Sequence, residues 1–210
     1  MAAKTKQELK QVFNEVCDLY YQKAEVDLSK ETIEITPEFN LPVTTDTLQI
    51  TQDDPTINHY KVIGLDADWT STSSPGDMKI QLTVPTINKE VMQIFYGDNS
   101  VADITKATVT TGDTEVDNEA GYEGYALEPK KKKIQGTFVL VDAEKNNLFI
   151  VTNFALYAKF LYDNVGTDPF AIQLIGSIEG AGKKCFAFLK KKQRSGDAGA
   201  GSQSSEIEDK

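Results

Sequence analysis

"MKIQLTV", Met78 to Val84, alternates apolar and polar side chains without a break. Successive residues of a strand point to opposite faces, so Met78, Ile80, Leu82 and Val84 share one face and Lys79, Gln81 and Thr83 the other. That is the pattern of a strand with one dry and one wet side. Segments of similar character lie on both sides of it. Upstream are "TIEIT" (32–36), "TDTLQITQ" (45–52), "INHYKVIG" (57–64) and "DADWTS" (66–71). Downstream are "DITKATVTT" (103–111), "KIQGTFVLVD" (133–142), "NLFIVTN" (147–153), "PFAIQLIGSIE" (169–179) and "KCFAFLKK" (184–191). Most are short, β-branched or aromatic, and bounded by Gly, Pro, Asn or Asp, which predicts a mainly β domain of sandwich or barrel type.

Two segments interrupt the β reading. In "PTINKEVMQIFYGD" (85–98), Val91, Ile94 and Phe95 recur at helical spacing, with Asn88 as N-cap and Gly97 as stop, so a short flanking helix is expected. In "TKQELKQVFNEVCDLYYQK" (5–23), Leu9, Val12, Phe13, Val16, Leu19 and Tyr20 recur at three- and four-residue steps, and Thr5 with Glu8 matches a capping box. A helical N-terminal segment, residues 1–31, is expected to precede a β domain over 32–191, although "VCDLYYQ" could also extend. "FALYAKFLYD" (154–163) fits either period, and a strand is favoured. Residues 111–129 are acidic and Gly-rich and read as a long loop. Residues 192–210 have almost no apolar content and read as a disordered tail.

A chain of 210 residues with 40% hydrophobic content has enough apolar surface to form a core without disulfides or metals. Its formal net charge is -10, and Arg194 is the sole arginine among 22 basic residues. Arginine's bidentate fork is the usual reader of guanine and clamp for phosphate, so sequence-specific nucleic-acid readout is not expected. Cys17 and Cys185 share no metal-ligand spacing. The opening "MAAKTKQELK" lacks the apolar core of a signal peptide, and no run approaches the roughly 18–20 apolar residues of a membrane span.

No catalytic or metal motif survives inspection. His59 is the single histidine, which excludes a multi-histidine metal site, and no partner of the kind a catalytic triad needs can be assembled around it. Asp66 and Asp68 could pair for acid–base work but read better as one wet strand face. Asp113, Glu115, Asp117 and Glu119 alternate as at the start of a calcium loop, but Asn118 and Gly124 stand where glycine and a bidentate acid belong. "GSIEGAGKKCF" (176–186) misses the phosphate-loop spacing, with Lys184 in place of Ser or Thr, and reads as a hairpin turn. "EPKKKKIQG" (128–136) sets four lysines before an apolar run. A solvated strand edge is the favoured reading, ahead of an inter-subunit salt bridge and nucleic-acid binding. Cys17 reads as a packed thiol.

An acidic, mostly β chain without a catalytic constellation points to a structural or interaction protein, with no cofactor and no enzymatic activity expected. "PVTTDTLQITQDDPTINHYKVIGLDADWTSTSSPGDMKIQLTVPT" (42–86) resembles the front half of bacteriophage tail tube proteins. "NKEVMQIFYG" resembles their short helix, and "KKKKIQGTFVLVDAEKNNLFIVTNFALYAKFLYDNVGTDPFAIQLIGSI" with "FAFLKK" resembles their back half. The resemblance covers about residues 32–191. It implies a subunit that self-assembles into stacked rings, usually hexameric, whose inner sheets join around a lumen. DNA passes through that lumen without specific binding. Tape-measure, terminator and baseplate proteins are the implied partners, and a virion tail assembled in a bacterial cytoplasm is the implied location. The acidic balance suggests an acidic bore, with Asp66, Asp68, Asp113, Glu115, Asp117 and Glu119 as guessed lumen-facing residues. The alternatives are a neck, baseplate or capsid-decoration protein, or a carbohydrate-binding module with Tyr122 and Tyr125 as its aromatic platform.

Overall fold

The structure is a computed structural model describing residues 12–13, 15–107, 121–162 and 167–192. In chain order the elements are β1 (Val16–Gln22), β2 (Phe39–Asn40), β3 (Gln49–Gln52), β4 (Thr56–Tyr60), β5 (Thr70–Ser74), β6 (Met78–Val84), α1 (Lys89–Tyr96), β7 (Val101–Ala107), β8 (Tyr122–Leu127), β9 (Thr137–Asp142), β10 (Asn147–Thr152), β11 (Phe154–Leu161), β12 (Ala171–Ile178) and β13 (Phe186–Lys190). They form a five-stranded sheet in the order β13-β10-β9-β1-β2, a four-stranded sheet β11-β12-β6-β3, and two two-stranded ribbons, β4-β5 and β7-β8.

The two large sheets face each other as a sandwich, and no closed barrel forms among the described residues. Alternation decides which side chains meet. Ile80, Leu82 and Val84 of β6, Ile172 and Leu174 of β12 and Phe154 and Leu156 of β11 point inward. They meet Leu19, Tyr21, Phe138, Leu140 and Val151 from the other sheet. Phe138 stacks on Phe154 at 4.5 Å between centroids, tying the sheets at the centre of the core. Helix α1 adds Val91, Met92, Ile94 and Phe95 to the same cluster. Its N-terminus is capped as expected, with the Asn88 side chain accepting from the Glu90 and Val91 N–H groups. Its C-terminus stops at Gly97, whose φ of 101° suits glycine.

Several sequence expectations are corrected. Val16–Gln22 is a strand, β1, rather than the end of a helix, and residues 1–11 and 14 lie outside the described residues. The helical spacing there is real, but Leu19 and Tyr21 also share one strand face. Pairing with β9 and β2 on both sides selects that reading. Cys17 is therefore an exposed thiol on a strand rather than a packed one. "TIEIT" (32–36) is not a strand. It belongs to a strap across the outer face of the five-stranded sheet, where Ile33 and Ile35 pack with Val26, Leu28, Val139 and Ile150. The strap is pinned by buried hydroxyls. The Val26 N–H is shared between Thr137 Oγ1 (3.1 Å) and Thr152 Oγ1 (3.3 Å), and Thr137 Oγ1 donates to the Ala24 carbonyl.

The segment 179–185 is not a hairpin turn, because β12 belongs to one sheet and β13 to the other, so the chain crosses the sandwich there. Tyr122–Leu127 of the expected 111–129 loop forms β8, while 108–120 and the tail beyond 192 lie outside the described residues. "FALYAKFLYD" is a strand over Phe154–Leu161.

Candidate assembly surface

The four lysines of 130–133 all find partners within the chain. Lys130 pairs with Glu128 at 2.6 Å, and Lys133 with Glu179 at 2.5 Å. The Lys131 ammonium sits 4.9 Å from the Tyr157 ring centroid, a cation–π distance. Lys132 donates to the Ile94 carbonyl at 2.9 Å, at the negative end of α1. The run is thus a clamp between the helix, β11 and the 179–185 crossing. All four lysines are exposed, and Ile134 after them bridges Leu156 of the edge strand β11, so the run is solvated and flanks a sheet edge, although β9, to which it leads, is central in its own sheet.

The two faces of the sandwich differ. The outer face of the five-stranded sheet is covered by the strap, and its edges are the two-residue β2 and the lysine-ending β13. The outward face of the four-stranded sheet has no such strap among the described residues: its margins are buried at Thr83, Ala155 and Ala171, and its middle rows are exposed or half-buried. One outward row runs Gln49–Gln81–Ile175–Tyr157 across the four strands. The rows beside it carry Thr51, Lys79, Ser177 and the buried Ala155 on one side and the buried Thr83, Gln173 and Lys159 on the other. None of these outward side chains is a carboxylate, and Lys79 is held by Asp53 at 2.6 Å.

Both edges of this sheet are open over part of their length. β3 has β6 on one side and no described strand on the other. β11 has β12 on one side, and on the other only a single bridge: Ile134 N–H to Leu156 O (2.8 Å) and Leu156 N–H to Ile134 O (2.9 Å). Backbone groups alternate sides along an antiparallel strand, so Ala158 and Phe160 also turn their N–H and C=O away from β12. They have no β-partner among the described residues.

The third feature is an arm. Every residue from Thr51 to Pro75 is exposed. The arm leaves the sheet between β3 and β6, and its root is closed by Asp53 N–H to Asp77 O at 2.9 Å. β5 reads "TSTSS" and has no apolar residue to give a core. The apolar side chains of the arm instead crowd its far end: Tyr60, Val62, Ile63, Leu65 and Trp69 are all exposed. A cluster of that kind at the end of a projection marks a contact surface.

Asp66 and Asp68 sit in the turn of this arm rather than on a strand, and Asp68 pairs with His59 Nδ1 at 2.5 Å. They are not paired with each other for acid–base work. Asp113, Glu115, Asp117 and Glu119 lie outside the described residues. Tyr122 and Tyr125 do not form a platform. They are three apart on β8, so they face opposite ways, and the Tyr125 hydroxyl donates to the Ile87 carbonyl. Among the described residues no group of His, Cys, Asp and Glu is placed to hold a metal ion, and no helix is long and apolar enough to cross a membrane.

The sequence shows the strands that build this surface but not the arm's departure from the body. One signal was present: an unbroken Thr/Ser strand cannot bury a face. No protein-family model matches the chain, and no curated protein matches it.

Proposed function

We propose that the chain is a structural subunit that self-assembles head to tail into rings, which stack into a tube of the bacteriophage tail type, a passive conduit for DNA. The observation that carries this reading is the four-stranded sheet with a partly open strand at each edge. Its order, β11-β12-β6-β3, is antiparallel at every step, so β3 and β11 run in opposite directions. A head-to-tail repeat sets β3 beside β11 of the next copy. With an even number of strands that junction is again antiparallel, and the sheet continues without a change of pairing type. Closing the ring satisfies strand edges that would otherwise invite aggregation.

The dimensions suit a conduit. At about 4.8 Å per strand, four strands span about 19 Å of circumference per copy. Six copies, the number the resemblance implies, give a backbone circle about 37 Å across, and strand tilt widens it further. That leaves room for a nucleic-acid duplex.

This face would line the bore with amides, hydroxyls, Ile175 and Tyr157, and with three lysines: Lys79 held by Asp53, Lys131 over the Tyr157 ring, and Lys159. An acidic bore does not follow from this sheet, because its outward side chains include no carboxylate. Passage without gripping rests instead on the weak charge of the lining and the overall net charge of -10 per copy. The arm, with its apolar end, supplies the contact between successive rings.

Electron microscopy of the purified chain at high concentration tests the reading. Rings and stacked tubes of constant spacing support it, and monomers persisting under every salt condition refute it.

A further inference from the structure

Two exposed apolar patches lie at opposite ends of the sandwich. One is the end of the arm, with Tyr60, Val62, Ile63, Leu65 and Trp69. The other is a notch of about 350 Å³ lined by Phe13, Asn147, Leu148, Phe188 and Leu189. Phe188 stacks on Phe149 at 4.6 Å between centroids and is still 66% exposed. Phe149 also meets Phe13 edge-on at 6.1 Å and Phe186 at 5.7 Å, so the floor of the notch is continuous with the core.

Strand register fixes the two ends. β10 runs into β11 at Asn153, so Thr152 and Phe154 share one end of the sandwich. From Ala155 a row crosses Ser177 and Lys79 to Thr51, beside the root of the arm at Gln52 and Met78. The arm therefore leaves from that end. Asn147 and its partner Lys190 lie at the other end of β10. There β1 begins at Val16, paired with Asp142, and Val16 lines one groove with Thr44 and Leu48. Thr44 N–H is bonded to Thr83 O at 2.9 Å, at the end of β6 away from the arm. The far ends of the two sheets thus coincide, and the notch is at the end the arm does not leave from.

We propose that the end of the arm docks in the Phe188 notch of a second copy of the chain, in the next ring of a stack. The inference rests on the ring reading above and names the surface that receives the arm.

Three observations favour a second copy as the occupant. Rings stacked head to tail set one end of each copy against the opposite end of the next, which is how arm and notch are placed. The arm is exposed throughout in the single chain, so its apolar end has no seat on its own body. The five paired residues of β4 alone span about 17 Å, enough to overlap a neighbour's end. Finally, the charges are complementary. The turn of the arm, residues 61–69, holds Asp66 and Asp68 against the single Lys61. Phe188 and Lys190, two apart on β13, share a face. Lys190 and Lys191 are exposed, and no ion pair joins them to a carboxylate among the described residues. The adjoining turn adds one charge of each sign, Glu144 and Lys145.

Trp69 is the single tryptophan of the chain, so its fluorescence reports the arm directly. Emission and acrylamide quenching are followed beside electron micrographs as the concentration rises. Emission should move to shorter wavelength, and quenching should fall, as rings become tubes. Ile63→Asp on the arm and Phe188→Ser in the notch should each raise the stacking concentration by about tenfold or more, with single rings kept. Lys190→Glu combined with Lys191→Glu should weaken stacking too, and Asp66→Lys in the same chain should restore part of it. Tubes in which Trp69 stays open to acrylamide, or rings that never stack, overturn the contact and leave the ring itself standing. So do Phe188→Ser tubes that form at the wild-type concentration with Trp69 shielded, which would give the notch another occupant, such as residues 1–11 of its own chain. A chain that forms no rings at any concentration overturns both.

Discussion

Ala158→Pro separates the chain's own stability from its assembly. Leu156 spends its N–H and C=O on Ile134, away from β12, and Ala158 faces the same way two residues on. Its N–H has no β-partner among the described residues, so proline removes no ladder bond seen there. The remaining costs are the fixed φ and the fit of the ring against the core cluster that Ala158 touches, together about 1–2 kcal/mol, or about 2–8 °C of melting temperature for a chain of this size. In the ring the same N–H points at β3 of the next copy. A junction along the four residues of β3 would form about four ladder bonds at a net 0.5–1.5 kcal/mol each, so about 2–6 kcal/mol. Proline removes one donor and obstructs its neighbour, a loss of about 1–3 kcal/mol per junction, which weakens each contact on the order of ten- to a hundredfold. Lys159→Pro is the control. Its N–H faces β12, so the single chain itself should lose about 3 kcal/mol or more. The assay is thermal melting at low concentration combined with sedimentation velocity at high concentration. The reasoning is refuted if Ala158→Pro melts as low as Lys159→Pro, or if it assembles at the wild-type concentration.

Three further perturbations read other parts of the account. Replacing the arm, residues 53–77, with an Asn-Gly turn joins two antiparallel neighbours, β3 and β6, in a favoured hairpin. The melting temperature should hold and single rings should persist, while electron micrographs show stacking lost. Lys132→Met removes the donor at the C-terminal end of α1 and should lower the melting temperature by about 2–4 °C by calorimetry, less in high salt. Burial pushes the Asp142 carboxyl up, but the Asn147 side-chain amide and the N–H groups of Asn147, Asn146 and Lys145 outweigh it and hold it below the usual range. A depressed folded value stabilises above the unfolded one and is lost as pH falls through it. Urea midpoints should therefore drop on acidification below about pH 4, and Asp142→Asn should flatten part of that drop.

The readable parts of the fold were those whose local pattern admits one answer. β6 alternates apolar and polar residues over seven positions, and α1 carries its own cap and stop; β11 fits both periods, the strand being favoured. β1 failed because "VCDLYYQ" satisfies helix and strand periods alike, and partners more than a hundred residues away, in β9, decide between them. "TIEIT" correctly placed Ile33 and Ile35 on one apolar side, but alternation shows only which side chains are buried, not whether the backbone pairs. The glycines of 176–182 signalled a change of direction without showing that it leads to the other sheet. The candidate surface was less legible than the fold. The lysine run announced charge, yet its partners Glu179, Tyr157 and the Ile94 carbonyl come from three separate elements. The open edges are a property of strand order, which no local pattern records.

A density map of the assembled particle, at a resolution that separates strands, tests the central claim most directly. The account predicts one uninterrupted antiparallel sheet around the lumen, with Gln49–Gln52 of each copy beside Ala158–Leu161 of the next. Copies joined through the strap-covered sheet, or rings in which the Gln49–Gln81–Ile175–Tyr157 row faces outward, would contradict it.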